Sequence, residues 1–343
     1  MGRFANWLAG AGACLTAGLA AHPAVAEAAA DFYKNRTLSI VVGHETGTGF
    51  DTYARTLARH IGRHVPGNPN IVVQNMIGAS GIAAANWLYN IAPKDGTVIS
   101  TFAQTAAFEP IFGNAVAKFE PAKYTWIGNA DEGVGICGVA KASGIQSLDD
   151  LRQRETIFAA TGMTGPLASY AHAVKNLLGA RIKVVPGYKG SASVKLAIQR
   201  GEVEGVCGVS LSTIKSQWQD DLRSGAFKLI LQLSGQPQPE FKGAPHVDAY
   251  PTTDEERQLF DLIFGAQALG RIYVSPPEVP AARRDALRSA FTATMQDPQF
   301  LADAAKTQID VAPMTGEQVE RFIARVSSAS PAIVARAKQA MRN

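Results

Sequence analysis

The chain has 343 residues, of which 46% are hydrophobic and 18% are charged. This composition is typical of a protein with a packed core, and it excludes a largely disordered or collagen-like chain. The 33 basic and 29 acidic residues leave a formal charge of +4, which is too small an excess to indicate nucleic-acid binding as the main role. Three cysteines are too few for a dense disulfide framework or a four-cysteine zinc site.

The first 26 residues have the pattern of a secretory signal peptide. Arg3 precedes a stretch of small and apolar residues that ends at Ala24-Val25-Ala26, which matches the A-x-A site of signal peptidase. A membrane anchor is the alternative, but the stretch is weakly hydrophobic and Pro23 interrupts it. We therefore expect cleavage near Ala26 and a periplasmic protein. No later apolar run approaches the roughly 20 residues that a membrane-spanning helix needs.

Short β-branched runs alternate with helical patterns in the first part of the mature chain. Buried strands are predicted at 38–42, 71–73 and 97–100, with a helix opening near Asp51 and another through Trp87 and Leu88. Tyr53, Leu57 and Ile61 recur at i+4, which predicts the buried stripe of the first helix. Such a β-α-β series places ligand chemistry at the carboxyl ends of its strands.

A second series of the same kind predicts strands at 157–160, 183–185, 205–209 and 227–231, with a helix at about 168–178. The glycine-interrupted stretches 126–141 and 263–274 flank this series, and we interpret them as crossovers between two lobes. Amphipathic helices are predicted at 280–296 and 316–326. The predicted fold class is therefore α/β with two lobes.

Three turns rich in small residues follow predicted strands, at 43–51, 78–81 and 161–165. In the first, Gly47 and Gly49 present bare N–H groups beside a helix N-terminus, where the dipole favours an anion. The third glycine of a dinucleotide fingerprint is missing and no Gly-Lys-Ser/Thr follows. Asp51 is predicted to cap the helix rather than to contact a ligand. His44 and Glu45 are either rim contacts or solvated loop residues.

The segment Tyr188-Lys189-Gly190 follows the predicted strand at 183–185. Lys189 could lie near an acidic ligand, although a surface position is the simpler interpretation. Tyr188 could close a cleft or pack in the core.

The sequence contains no G-x-S-x-G, H-E-x-x-H or C-x-x-C motif, so we expect no catalytic residue, metal or cofactor. His60 and His64 are spaced for a metal, but neighbouring arginines disfavour a cation and a solvated helix face is predicted instead. Cys137 and Cys207 share the pattern Gly-x-Cys-Gly-Val. Export permits a disulfide between them, yet two buried thiols are the favoured prediction.

An ordered set of motifs resembles the Bug family, the extracytoplasmic substrate-binding proteins of tripartite tricarboxylate transporters. Its segment V-V-x-F-x-P-G-G-x-x-D-x-x-A-R is matched by Val41, Val42, Gly47, Gly49, Asp51, Ala54 and Arg55. Its next block, N-x-P-G-A-G-G followed by A-x-P-D-G, is matched by Asn75, Gly78, Ala79 and Gly81 and by 92–96. Later matches lie at 188–190, 201–204, 275–280 and 297–298.

The resemblance implies a type II periplasmic-binding-protein fold, with lobes at 31–135 plus 265–343 and at 136–264 joined by a hinge. It also implies that backbone amides, small hydroxyls and bridging waters, rather than an arginine clamp, hold a ligand carboxylate. The predicted ligand-binding residues are Gly47, Thr48, Gly49, Phe50, Asp51, Ser80, Gly81, Gln104, Thr105, Thr161, Gly162, Met163, Thr164 and Tyr188.

Some positions depart from the family pattern. Met76-Ile77 replaces an Arg-Pro pair, Cys207-Gly208 replaces a Phe-Asp pair, and the first loop reads Gly43-His44-Glu45-Thr46-Gly47-Thr48. The fold is therefore expected to transfer better than the ligand.

The predicted function is a monomeric, exported receptor that delivers a small organic acid to the permease subunits of a tripartite transporter, with no nucleic-acid partner. A sensor-linked receptor is one alternative. A periplasmic hydrolase is another, for which the sequence offers only unpartnered nucleophiles such as Ser80 or Cys207.

Overall fold

The computed structural model describes residues 30–162, 166–188, 190–233, 237, 241 and 243–342. The predicted signal peptide at 1–26 lies outside these residues, as do Met163, Thr164 and Lys189 from the predicted loops. Within the described part of the chain, no helix has both the length and the apolar character needed to cross a membrane.

The strands of the described residues are β1 (Thr37–Val42), β2 (Asn70–Asn75), β3 (Val98–Thr101), β4 (Thr125–Asn129), β5 (Gly135–Ala140), β6 (Thr156–Ala159), β7 (Ile182–Val185), β8 (Gly205–Ser210), β9 (Phe227–Gln232), β10 (Ile272–Ser275) and β11 (Met314–Thr315).

The helices are α1 (Gly49–Ile61), α2 (Ile82–Asn90), α3 (Gln104–Phe108), α4 (Leu148–Gln153), α5 (Pro166–Leu178), α6 (Ser191–Gln199), α7 (Leu211–Gln217), α8 (Gln219–Arg223), α9 (Asp254–Ile263), α10 (Ala281–Gln296), α11 (Pro298–Lys306), α12 (Gly316–Ser327) and α13 (Pro331–Ala340). Short 3-10 turns lie at Gly62–His64, Ala79–Gly81, Pro121–Lys123, Lys141–Ser143, Val247–Ala249 and Gly265–Ala268.

The strands form two sheets. The six-stranded sheet has the order β11-β4-β10-β3-β1-β2, in which β1, β2 and β3 run parallel and the other pairings are antiparallel. The five-stranded sheet has the order β7-β6-β8-β5-β9, with β6 parallel to β7 and β8, and β5 antiparallel to its neighbours. This mixed α/β architecture with two sheets confirms the predicted fold class.

The chain passes between the sheets twice, once between β4 and β5 and once between β9 and β10. The stretch 126–141, predicted as a crossover, instead holds most of β4 and all of β5, so that only 130–134 connects the sheets. The apolar pattern of that stretch came from two buried strands, which leave a short connection between the sheets.

The first β-α-β unit has the predicted burial. Tyr53, Leu57 and Ile61 on α1 are each at most 5% exposed, and they pack with Leu38 and Ile40 of β1 in one apolar cluster. The helix begins at Gly49, close to the predicted start. The spacing of these residues therefore places α1 correctly against the sheet.

The prediction for the cysteines is wrong. Cys137 and Cys207 form a disulfide, with 4.0 Å between their Cα atoms. They are partners in the antiparallel register of β5 and β8, where directly opposite side chains come close enough to be bridged. Both cysteines have the same local sequence pattern, but that pattern does not encode the strand register that pairs them.

The prediction of a solvated face at His60 and His64 is also wrong. His60 is only 9% exposed, and its Nε2 lies 2.9 Å from Asp303 Oδ2. His64 Nε2 lies 2.8 Å from Asp297 Oδ2. Both aspartates come from the C-terminal segment that packs beside α1, far away in the sequence. No group of three or more metal-ligating side chains occurs among the described residues.

Candidate functional site

A cavity of about 420 Å³ lies between the two sheets. Its lining comes from both connections between the sheets, from the first turns of helices on either side, and from the loop before β11. The lining residues are Gln104, Thr105, Asp131, Glu132, Gly133, Val134, Gly135, Pro166, Tyr170, Gly208, Ser210, Leu211, Gln267, Gly270, Arg271, Asp310, Val311 and Ala312.

Three helices begin at the cavity wall. Gln104 and Thr105 open α3, Pro166 opens α5, and Leu211 opens α7 after the capping residue Ser210. Helix N-termini carry partial positive charge and therefore favour an anion, although here Leu211 N and Thr213 N are already bonded, to Val134 O and Ser210 Oγ. The cavity therefore has a positive component that does not depend on ionised side chains.

The two connections between the sheets meet on one wall of the cavity. Ala130 N donates to Arg271 O at 2.8 Å, and Ala312 N donates to Ala130 O at 3.1 Å. A Cβ atom on Gly270 would lie 2.7 Å from the carbonyl oxygen of Asp131, and one on Gly133 would lie 2.2 Å from that of Gln267. The close approach of the two backbones thus requires glycine at both positions.

Arg271 brings a cationic side chain to this wall. Its guanidinium carbon lies 4.5 Å from the ring centroid of Phe50 and 4.9 Å from that of Tyr53, and Nη1 donates to the Gly270 carbonyl at 2.6 Å. Cation–π contacts of this kind hold a guanidinium in place without neutralising it. The buried Nε has no hydrogen-bond partner among the described residues.

Asp131 lies on the same wall and is only 9% exposed. Burial raises the pKa of its carboxyl to about 7, against the opposing effects of the Arg271 charge and of the nearby Tyr53 hydroxyl. Tyr53 donates to the Asp310 carbonyl at 2.7 Å. The site therefore contains a carboxyl group that titrates near neutral pH.

The first predicted loop lies behind Arg271. The guanidinium of Arg271 lies over the ring of Phe50, and a Cβ atom added to Gly49 would lie 3.0 Å from Arg271 Nη2. His44 stacks on Phe50 with the ring centroids 4.2 Å apart, and burial followed by the Arg271 charge lowers the pKa of His44. Glu45 is exposed, and its backbone carbonyl accepts a hydrogen bond from the Thr48 hydroxyl.

The helix cap in this loop differs from the prediction. Thr48 is the N-cap of α1, and its Oγ1 accepts a hydrogen bond from Asp51 N at 3.4 Å. Asp51 is a buried residue of the first turn, which accepts from Gly47 N, Arg55 Nε and Asn75 Nδ2 at 2.9 Å each. Burial alone would raise the pKa of Asp51, but these hydrogen bonds lower it overall. The prediction of Asp51 as N-cap is therefore wrong, and the Gly47 N–H is already bonded.

The structure brings only some of the predicted ligand residues to the cavity. Gln104 and Thr105 line the cavity. Gly81 instead has a structural role in a turn, because its φ is 99° and an added Cβ atom would lie 2.8 Å from Phe102 Cβ. Ser80 belongs to the same 3-10 turn.

The remaining predicted residues belong to the five-stranded sheet. Thr161 and Gly162 follow β6 without lining the cavity. Tyr188 packs against the apolar cluster of this sheet, and its N–H donates to the Ala160 carbonyl at 3.3 Å. Met163 and Thr164 lie outside the described residues.

Sequence reasoning missed the two ionisable residues at the centre of the wall. Asp131 and Arg271 interrupt otherwise apolar or glycine-rich stretches, at 126–141 and 263–274. Charged residues in segments predicted to connect two lobes were the available signal, because a ligand between lobes must meet those segments.

Comparison with known proteins identifies the family. The model of the tripartite tricarboxylate transporter family receptor matches residues 54–338. No curated protein matches the chain.

Several solved structures share the fold. A TctC solute-binding protein from Polaromonas has 19% identity and a TM-score of 0.70, over 89% of this chain and 99% of its own. MatC from Rhodopseudomonas palustris with bound malate has 16% identity and a TM-score of 0.55, over 90% of this chain and 99% of its own. An R. palustris protein with adipate has 18% identity and a TM-score of 0.54, over 89% of this chain and 96% of its own.

The family match covers most of the chain and agrees with the ordered motifs in the sequence, which confirms the resemblance drawn from them. The chain belongs to the receptor family of the tripartite tricarboxylate transporters.

Proposed function

We propose that the protein is an exported, monomeric receptor that binds a small organic acid in the cavity between its sheets and delivers it to the permease subunits of a tripartite transporter. The observation that carries this proposal is the convergence of Arg271 and three helix N-termini on one cavity. A guanidinium offers paired N–H donors to a carboxylate, and N-terminal amides add uncharged donors. The malate and adipate bound to two proteins of the same fold support this class of ligand.

The two lobes of this receptor are proposed to comprise 31–135 with 265–343, and 136–264. The short connection at 130–134 and its counterpart at 265–271 are proposed as the hinge. A ligand that contacts both lobes favours the closed form by its additional binding free energy there. In that form we expect the small-residue turns at 78–81 and 161–164 to approach the ligand together with Gln104 and Thr105.

A hydrolase is the less favoured function. Such an enzyme needs a nucleophile with a base in hydrogen-bond reach. Cys207, one of the few candidates in the sequence, is held in the disulfide with Cys137. We therefore expect a bound acid to be recovered unchanged.

The test is thermal unfolding of the mature protein in the presence of di- and tricarboxylates, aromatic acids and uncharged sugars. A ligand at a hundred times its dissociation constant adds about 2.7 kcal/mol to the free energy of unfolding, which raises the midpoint by several degrees. We expect a selective rise with one class of acid, lost in Arg271→Ala and kept in Arg257→Ala, whose side chain lies on the exposed face of α9. The absence of a rise with every acid would argue against an acid receptor.

A further inference from the structure

The cavity has more acidic than basic side chains. Among the described residues that line it, Arg271 is the one cation, and it faces the carboxyl groups of Asp131, Glu132 and Asp310. A ligand that carries only carboxylates would pair with Arg271 and would also place its own charge against these acids. Repulsion of this kind is weakly screened where the groups are partly buried.

Asp131 and Arg271 are close but do not form an ion pair. Arg271 is engaged by the rings of Phe50 and Tyr53 and by the Gly270 carbonyl. Asp131 lies beside the Tyr53 hydroxyl, which donates its hydrogen bond to the Asp310 carbonyl, and the Asp131 carboxylate forms no salt bridge with any described residue. Arg271 and Asp131 therefore place two groups of opposite charge on one wall, and each keeps the capacity to bind a ligand group.

We propose that Asp131 is the specificity-determining residue of this site and selects an acid that also carries an ammonium group, with the ligand carboxylate at Arg271 and the ammonium at Asp131. This inference rests on the proposed receptor function and names its substrate class as amino acids with a carboxylate. A buried carboxylate without a charged partner is unfavourable. A ligand ammonium compensates that charge directly, which an unsubstituted acid cannot do.

The proposal has a consequence for pH. With the cavity empty, burial raises the pKa of Asp131 to about 7, while Arg271 and the Tyr53 hydroxyl oppose this rise and Asp310 and Glu132 add to it. A ligand ammonium pairs with the ionised form. Affinity for an amino acid should therefore fall as the pH decreases from about 8 to about 6, whereas an acid whose carboxylate accepts a hydrogen bond from protonated Asp131 should show the opposite trend.

The experiment compares acids that differ by one amino group. Dialysed mature protein is titrated calorimetrically at about pH 8 with succinate and L-aspartate, glutarate and L-glutamate, and adipate and L-2-aminoadipate. For at least one pair we expect the amino acid to bind about tenfold more tightly or better, a change that corresponds to about 1.4 kcal/mol. The preference should weaken toward pH 6.

Two variants test the role of Asp131. Asp131→Asn keeps the shape of the side chain and removes its charge, and it should reduce the preference for the amino acid to less than about twofold. Glu155→Gln makes the same chemical change at an exposed position outside the cavity and should keep the full preference. Circular dichroism and the unfolding midpoint check that both variants are folded.

The outcomes separate the two proposals. An unsubstituted acid that binds as tightly as its amino counterpart in the wild-type protein overturns the role of Asp131 and leaves the acid receptor intact, whatever the variants show. A preference for the amino acid that survives in folded Asp131→Asn also overturns it. The absence of binding by every acid, with and without an amino group, overturns the proposed function itself.

Discussion

The guanidinium of Arg271 lies above the ring of Phe50, with 4.5 Å between the guanidinium carbon and the ring centroid. The two residues come from distant parts of the chain, since Phe50 is in the first turn of α1 and Arg271 immediately precedes β10. This contact links the first loop, which carries the family motif, to the cation of the cavity. We therefore expect the loop to act on the proposed ligand site through Arg271, the side chain that it positions.

We expect Phe50→Leu to weaken binding of the acid ligand about 3- to 10-fold, because the loss of a cation–π contact of about 1 kcal/mol leaves Arg271 free to adopt other rotamers. The protein should remain folded, as Phe50 is only partly buried. Calorimetric titration measures the effect.

The control is Phe32→Leu. The ring of Phe32 carries the guanidinium groups of Arg36 and Arg283, at 4.3 and 3.6 Å, but none of the three lines the cavity. Equal losses of affinity in the two variants would show that the effect is general and not specific to the site.

The elements were easier to predict than the site. Runs such as 38–42 and the i+4 stripe on α1 are local, so hydrophobic periodicity was enough to identify a strand and a helix. Asp131 and Arg271 are brought together by contacts such as that between Arg271 N and Asn129 Oδ1, which are 142 residues apart. Nothing local in either segment encodes that pairing.

The loop shows a second limit of sequence reasoning. Thr48 and Asp51 are both good capping residues, and the sequence alone does not tell which one is the cap. The choice depends on Asn75, a residue of β2 that also binds Asp51. The family motif therefore located the loop correctly, while the hydrogen-bonding role of Asp51 required the strand beside it.

We expect Asp51→Asn to destabilise the protein by about 1–2 kcal/mol, since the carboxylate accepts hydrogen bonds from the loop, the helix and β2, and the partner Arg55 is partly exposed. Urea unfolding at neutral pH measures the loss. Asp149→Asn, which removes one exposed pair with Arg152, should change stability by less than about 0.5 kcal/mol.

This contribution also has a defined pH dependence. The folded-state pKa of Asp51 is lowered by its hydrogen bonds, so its stabilisation is complete above the unfolded-state pKa and is lost as the pH falls through the folded-state pKa. The difference between wild type and Asp51→Asn should therefore shrink below about pH 4. A difference that stays constant down to pH 2 would contradict the proposed role of the charge.

The disulfide should make an independent contribution to stability. Cys137 and Cys207 are separated by 70 residues, and closing a loop of that length is expected to stabilise the folded protein by about 4 kcal/mol through the entropy of the unfolded chain. Urea unfolding with and without a reductant should show a large shift in the midpoint. The double variant Cys137→Ala/Cys207→Ala should be insensitive to reductant, and a wild-type protein with the same insensitivity would contradict a disulfide.

Asp131 should have the opposite effect on stability from that of Asp51. Its folded-state pKa of about 7 lies above the unfolded value near 4, so the folded protein holds more protons between these values. The stability is therefore fully present below about pH 4, decreases as the pH rises from about 4 to about 7, and stays at the lower level above that. With no ligand present, Asp131→Asn should be more stable than the wild type at pH 8.

The advantage of Asp131→Asn should shrink as the pH falls from about 7 to about 4 and disappear near pH 3, where the carboxyl is protonated in both the folded and the unfolded protein and resembles the amide. Glu155→Gln, at an exposed site, should track the wild type at both pH values. Urea unfolding of the three proteins at the two pH values measures the effect. An Asp131→Asn protein that is less stable than the wild type at pH 8 would assign the carboxylate a structural role. The expected result instead means that the protein retains a destabilising charge at its ligand site, as a residue kept for binding does.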